Sequence, residues 1–459
     1  MVDKKLVDKL KNDAPKFKDF VSSASNKDIK YVLDKLGKLE NNDLKEPLLE
    51  LLKHKDDPVR ALAVKNLAKM KDDSLIKHYV KLVQNDKSSK VRREGTDAIG
   101  RARNEGNIPV LFDLLNDSDP SVIMSAIRGL LAFKKEDKVK KKLMKLKTHP
   151  NEIIRDVIAN EFKEKSTGKK EEHAQSMDLL KNLIVQADVR DVLKEIKSEN
   201  IHLTFTSPPY YNARDYSIYS SYNEYLEFLR EVFQEVHRIT KEGRFFLLNT
   251  SPVIVKRFSR SYSSRRYPIP YDLHPIMTEI GWEFIDDIVW VKPEASVINR
   301  NGGFQQHRKP LGYKPNPRHE MVMVYRKKTN KLLDWNMEQY DEEAMEQSKV
   351  RGNDYETSNI WEIDPVSDKV HRAVFPPELC KRVVEFYSYK GDLVFDPFGG
   401  SGTLAKAALN LDRFFFVTEV STEYVNRIRQ NVVENEMLKE NYKRPEIMTL
   451  GDFQKKIKS

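Results

Sequence analysis

Residues 393–409 constrain the fold more than any other stretch of this 459-residue chain. The apolar run Leu393-Val394-Phe395 leads into Asp396-Pro397-Phe398-Gly399-Gly400-Ser401-Gly402-Thr403, and an apolar helical pattern continues from Thr403 to Leu409. Strand, glycine turn and helix in that order form the opening unit of a doubly wound α/β sheet. Glycines at 399, 400 and 402 let backbone approach a ligand where a Cβ would intrude. The next apolar run, Arg413 to Thr418, ends at Glu419, 23 residues after Asp396, where a carboxylate can accept from both hydroxyls of a ribose. The turn is not the six-residue dinucleotide fingerprint and lacks the Lys-Ser/Thr end of a phosphate loop, so nothing in it asks for a pyrophosphate. Taken alone it could be a tight turn without a ligand. Two apolar strands, the helix and the acid at 419 together favour a nucleoside-type cofactor.

A second segment lies far upstream. The apolar run His202-Leu203-Thr204-Phe205 reads as a strand and empties into Thr206-Ser207-Pro208-Pro209-Tyr210. Consecutive prolines hold the backbone extended and carry no N–H donors. The Ser207 hydroxyl and the Pro208 carbonyl can then act as fixed acceptors, and Tyr210 offers a ring for a planar base. An exocyclic amino group suits this corner, because acceptors orient its lone pair toward a methyl donor. The bland alternative is a strand that merely ends in prolines.

The first third has a different character. Val59, Val91, Val122 and Ile154 fall 32, 31 and 32 residues apart, preceded by turn signals at Asp57-Pro58, Ser88-Ser89, Asp119-Pro120 and His149-Pro150. Arg60, Arg92 and Arg155 follow three of these anchors, and stripes such as Ala61-Ala63-Val64-Leu67 run behind them. Paired helices at such a period build a solenoid in which neighbours share one core. The pattern resembles HEAT repeats across about residues 30–165, with an atypical first unit. We expect a repeat domain over 1–165, a polar linker over 166–178 and a sheet domain over 179–459.

Within the sheet domain, strands are expected at Leu183-Ile184-Val185, Arg244–Leu248, Ile285–Val291 and Met321–Tyr325, with a helix before the first of them and another through Val192 and Ile196. Ser221 to Glu224 reads as a capping box for a helix striped by Tyr225, Leu229, Val232, Phe233 and Val236, with Gly243 as its stop. Asn299 to Arg318 reads as a long loop, Asp334 to Val350 as acidic and helical, and Pro376 as the start of a helix through Leu379 and Val383.

Ser-Pro-Pro-Tyr at 207–210 with the glycine turn at 396–403 resembles the amino-methylating DNA methyltransferases, which use S-adenosylmethionine on cytosine N4 or adenine N6. The base-handling segment precedes the cofactor segment, as in that family's beta arrangement, and the resemblance covers roughly residues 180–435. It implies a Rossmann-like, circularly permuted methyltransferase domain beside the all-α repeats. Carried over by motif, Ser207, Pro208, Pro209 and Tyr210 would be catalytic. Asp188, Thr206, His371, Phe375, Pro376, Asp396, Phe398, Gly399, Gly400, Ser401, Gly402, Thr403 and Glu419 would bind S-adenosyl-L-methionine. Serine before Pro-Pro-Tyr is typical of the cytosine-N4 enzymes, which makes N4 of a flipped cytosine the leading target and adenine N6 the alternative. No metal is implied. Methylation at cytosine C5 needs a cysteine nucleophile, and the single cysteine, Cys380, is expected to be packed on the helix that begins near Pro376.

The formal charge of +10 suits a polyanion, here double-stranded DNA. Arg257, Arg260, Arg265 and Arg266, interleaved with Tyr262 and Tyr267, form one candidate DNA loop over 257–267. A second, over 299–318, carries Arg300, Gln305, Gln306, His307, Arg308 and Lys309. The family's recognition region is short and partly acidic here, at Lys327 to Asn359, so the repeats could compensate by following the duplex or by holding a restriction endonuclease or another protein. A repeat-based scaffold and an RNA methyltransferase are the competing readings. One cysteine and the lack of a long apolar run lead us to expect a cytoplasmic chain without a membrane span.

Overall fold

The computed structural model describes residues 3–39, 43–163, 172–197, 199–211, 219–255, 259, 261, 264–297, 299–350, 356–366, 374–434 and 443–459. The chain divides into two compact units, Met1–Thr167 and Gly168–Ser459. No helix among the described residues is long and apolar enough to cross a membrane.

The first unit is all helical. The anchors Val59, Val91, Val122 and Ile154 sit in helices Asp57–Leu67, Ser89–Arg101, Pro120–Leu131 and Glu152–Glu161, and each is fully buried. The arginine after the anchor ties one repeat to the next. Arg60 grips Asp86 with two bonds of 2.8 Å and donates to the His54 carbonyl. Arg92 repeats the geometry on Asp117 at 2.7 and 2.8 Å and on the Asp86 carbonyl. Arg155 makes the local half of the pattern, donating to the carbonyls of His149 and Pro150. The third repeat has Ile123 at this position, buried instead of charged.

The second unit is built on nine strands: β1 (Leu183–Gln186), β2 (Ile201–Thr206), β3 (Thr240–Thr250), then, past a small hairpin of β4 (Val253–Val255) and β5 (Arg265–Tyr267), β6 (Trp282–Val291), β7 (His319–Lys327), β8 (Ile360–Glu362), β9 (Leu393–Asp396), β10 (Phe414–Glu419) and β11 (Glu446–Thr449). Their order is β11-β1-β10-β9-β2-β3-β7-β6-β8, and only β7 runs against its neighbours. Both faces are covered. Leu183 and Val185 point into one apolar cluster and Ile184 into the other, which is why the parallel strands read as continuous apolar runs. Cys380 is buried on helix Pro377–Tyr387.

Several local expectations need correction. The helix Tyr222–Ile239 stops at Thr240, and β3 begins there. Gly243 lies inside that strand at φ +70°, where the register against β2 shifts, and a Cβ on it would meet Asn336 at 2.5 Å. A glycine in a strand can mark such a bulge as readily as it ends a helix. Ser221 caps its helix by accepting from the Glu224 N–H, but the Glu224 carboxylate returns to the Ser220 N–H. The region expected as a loop at 299–318 holds the short helix Gly302–His307. The helix expected before β1 is one 3-10 turn, Asp178–Leu180. Residues 166–171 of the expected linker lie outside the described residues, and at His173 the chain is already anchored. The His173 ring meets the Glu242 carbonyl at 3.0 Å and Trp335 edge-on.

Candidate active site at the carboxyl ends of the strands

The parallel strands β1, β10, β9, β2, β3 and β6 end on the same edge of the sheet, and antiparallel β7 begins there. Open α/β sheets bind ligands outside this edge. The two segments singled out in the sequence meet at its middle, because β9 and β2 are neighbours. The Thr206 hydroxyl at the end of β2 donates to Asp396 Oδ1 at the end of β9, 2.7 Å away, and both side chains are buried.

The glycine turn is tightly held. Asp396 Oδ1 also accepts from the Phe398 N–H, and Gly399 donates to the Thr418 carbonyl on β10. A Cβ on Gly399 would lie 2.2 Å from Val417 Cγ1, and Gly402 caps helix Thr403–Asn410 at φ +79°. Ser401 meets Thr403 through their hydroxyls, and Asn431 donates to the Ser401 carbonyl. Glu419 reaches back from β10: Oε2 accepts from Gly400 N–H at 2.8 Å and Oε1 from Ser421 N–H. Burial raises the pKa of Asp396 to about 7, with the Glu419 charge adding to the rise, and burial raises Glu419 as well. Two reluctant carboxyls beside a glycine turn fit a ligand that brings a positive charge and hydroxyl donors.

Asp188 lies just beyond β1, whose Gln186 is in register with Glu419. It caps the next helix and pairs with Arg190 at 2.9 Å. Burial pushes its pKa up, but the Arg190 bonds outweigh burial and leave it below the usual carboxylate value. Arg190 lies over the Phe228 ring at 5.0 Å, and Phe228 abuts Phe398. Asp188 is thereby linked to the turn. Phe375 stacks on Phe205 of β2 at 4.5 Å, and Pro376 caps helix Pro377–Tyr387. His371 lies outside the described residues.

At the proline-tyrosine corner, Pro208 is buried while Ser207, Pro209 and Tyr210 are partly open. The Tyr210 hydroxyl donates to Glu320 Oε2 at 3.1 Å. Asn249, near the end of β3, donates to the same oxygen at 2.7 Å and faces Ser207 Oγ at 3.4 Å. Lys292, just after β6, pairs with Glu320 Oε1 and lies over the Trp290 ring at 4.4 Å. Sequence reasoning missed Asn249, Lys292 and Glu320. Each flanks a strand that the apolar pattern located, but no local motif marks them.

The hairpin carries Arg265 and Arg266 on exposed β5, while Tyr267 packs against Tyr211 and Tyr222 at 4.9 and 4.6 Å. It is rooted beside the corner. Arg257, Arg260 and Tyr262 lie outside the described residues. The stretch at 299–318 comes to the same place: Lys314 bonds Ser264 at 3.1 Å, and Arg300 is lowered by burial and then by the Arg266 charge. Gln305, Gln306, His307, Arg308 and Lys309 are exposed. The arrangement combines a cofactor-shaped turn, a polar corner with an aromatic ring and a basic rim.

The family model described as DNA methylase matches residues 201–430, and the model for HEAT repeats matches 14–94 and 76–162. Among curated proteins, the chain is 26% identical over 262 residues to the type II beta methyltransferase M.BslI of Bacillus sp. (strain NEB-606), a match over 54% of this chain and 27% of that protein. It is 27% identical over 277 residues to the type II methyltransferase M.Cfr9I of Citrobacter freundii, covering 53% of this chain and 85% of that one. The chain thus spans only about a quarter of M.BslI. Similar solved structures include a Thermus thermophilus protein crystallised with S-adenosyl-L-methionine, at 25% identity and a TM-score of 0.45 over 54% of this chain and 92% of that one. The PvuII DNA methyltransferase (cytosine-N4-specific) is 19% identical, with a TM-score of 0.42 over 62% and 95%.

Proposed function

This chain belongs to the N6/N4 DNA methylase family, and on that premise we propose that it moves a methyl group from S-adenosylmethionine to the exocyclic N4 amino group of a flipped cytosine in double-stranded DNA. The observation that carries the reading is the Thr206–Asp396 hydrogen bond of 2.7 Å, which sets the base-handling corner beside the cofactor turn. Asp188, Asp396, Phe398 and Glu419, with the backbone of 399–403 and with Phe375 and Pro376 nearby, would hold the cofactor; His371 is proposed from its motif alone. When bound, S-adenosylmethionine supplies an electrophilic methyl group.

The chain's own residues bind and orient. A duplex hides the amino group, so the base must leave the stack. Tyr210 would stack on it, and Ser207 with the Pro208 carbonyl would accept its amino hydrogens, aiming the nitrogen lone pair at the donor. Rate then comes from placement and from the local field. Serine before Pro-Pro-Tyr, typical of the family's cytosine-N4 enzymes, is what supports cytosine N4 ahead of adenine N6. Arg265, Arg266, Arg300, Gln305, Arg308 and Lys309, with Arg257 and Arg260 from sequence, would hold the duplex around the corner.

The repeat unit is proposed to follow the phosphate backbone. Lys135, Lys140, Lys141, Lys145 and Lys147 are exposed within one short stretch, which supports DNA over a protein partner. Removal of residues 1–167 should weaken DNA binding and flatten its salt dependence; unchanged DNA affinity would point to a protein partner instead. For the site itself, Ser207→Ala and Tyr210→Ala should each slow methyl transfer. Unchanged rates in both would refute the assignment.

A further inference from the structure

We propose that Glu320 is a positioning residue for the proline-tyrosine corner, fixing the direction of the hydrogen bonds that hold Tyr210, Asn249 and Ser207 against the target base. The inference rests on the methyl-transfer reading above. Four chain segments converge on this carboxylate: the one after β2 through Tyr210, the end of β3 through Asn249, the end of β6 through Lys292, and β7 itself. Glu320 is the cross-strand partner of Trp290, and Lys292 closes the group over that ring. Its side chain retains 16% exposure, and that of Lys292 retains 19%.

A carboxylate only accepts. Tyr210 must therefore spend its single hydrogen on Glu320, and Asn249 must turn its amide nitrogen, not its oxygen, toward the same group. The other hydrogen of that nitrogen then faces Ser207 Oγ. Burial, and after it the Glu320 charge, push the Tyr210 phenol well above its ordinary pKa, so it remains a donor at working pH. With Tyr210 and Asn249 both committed, Ser207 and the Tyr210 ring are held in one arrangement before the base arrives. A structural ion pair at a strand end would need only Lys292. The two further donors come from the corner and from its neighbour.

The test is a double-mutant cycle in the full chain: wild type, Glu320→Gln, Tyr210→Phe and the double variant. Single-turnover transfer from S-adenosylmethionine to DNA is measured with cofactor affinity and melting temperature. The introduced glutamine is neutral: its oxygen accepts more weakly from the two donors that share Oε2, and its amide nitrogen sets a donor against Lys292 where Oε1 accepted. Glu320→Gln should slow transfer by about 10- to 100-fold while leaving cofactor affinity unchanged and lowering the melting temperature only through the lost Lys292 pair, since misplacement at this scale acts on the rate. Tyr210→Phe should do the same, and the double variant should be no slower than the slower single, because the residues act as a unit. Additive losses, an unchanged rate in Glu320→Gln, or a parallel loss of cofactor affinity would overturn the proposal. If Glu320→Gln does not fold, Tyr210→Phe decides: an unchanged rate refutes the role, and a slowed rate with intact cofactor binding supports it. A wild-type chain inert toward DNA would instead remove the proposed function, and this inference with it.

Discussion

Thr206 and Asp396, 190 positions apart, share a buried hydrogen bond of 2.7 Å. It joins the last residue of β2 to the last residue of β9. Replacing Thr206 by Val keeps the shape and leaves Asp396 with one bond fewer. We expect a loss of about 1–3 kcal/mol in unfolding free energy, read from urea titration, and weaker binding of S-adenosylmethionine. An unchanged midpoint would mean that the bond contributes nothing.

Asp396 also predicts a pH dependence. Its pKa is raised by burial to about 7, well above the value of an unfolded carboxyl, about 4. The folded state therefore binds the proton more tightly. The associated stability is fully present below about pH 4 and is lost as pH rises through about 7. Glu419 is raised in the same direction. Buried His173 and His237, held down to about 4 by burial, act in the opposite sense, so the Asp396 contribution is read as a difference: the wild-type chain should lose melting temperature relative to Asp396→Asn as pH rises from 5 to 8. A cationic ligand beside Asp396 should expel the proton, so calorimetry near pH 7 in buffers of different ionisation enthalpy should report proton release on cofactor binding.

Gly399 has no room for a side chain, since a Cβ would lie 2.2 Å from Val417 Cγ1. Gly399→Ala must push the turn away from β10. The expected result is a loss of about 1–3 kcal/mol from overpacking, with cofactor affinity reduced about tenfold or more. Thermal melting and isothermal calorimetry measure both.

Arg92 ties its repeat to the next through two bonds to Asp117 and one to the Asp86 carbonyl. Both partners of the ion pair are largely buried, at 15% and 8% exposure. Arg92→Ala should lower the stability of the repeat unit by about 2 kcal/mol, seen as an earlier helical transition in denaturant. No change would show that this arginine contributes nothing to the cohesion of the repeats.

What the sequence disclosed follows from how local each signal is. The repeat anchors, the glycine turn and the apolar strands were legible because each is written in adjacent residues with its own period. The meeting of Thr206 with Asp396 could be expected only from the resemblance, since nothing local says that β2 and β9 are neighbours. Gly243 misled because a glycine after a helical stripe looks like a stop, and only the paired strand shows the bulge. Glu320, Lys292 and Asn249 were invisible. They are ordinary polar residues at strand ends, and their meaning comes from pairing between β3, β6 and β7. Glu419 was legible as the acid that ends β10, but not its grip on the Gly400 N–H.

The most direct test is mass analysis of nucleosides after incubating the chain with labelled S-adenosylmethionine and mixed-sequence duplex DNA. The account predicts labelled N4-methylcytosine that disappears in Ser207→Ala. Labelled N6-methyladenine would contradict the assignment of the target base, and unlabelled DNA would contradict the proposed function altogether.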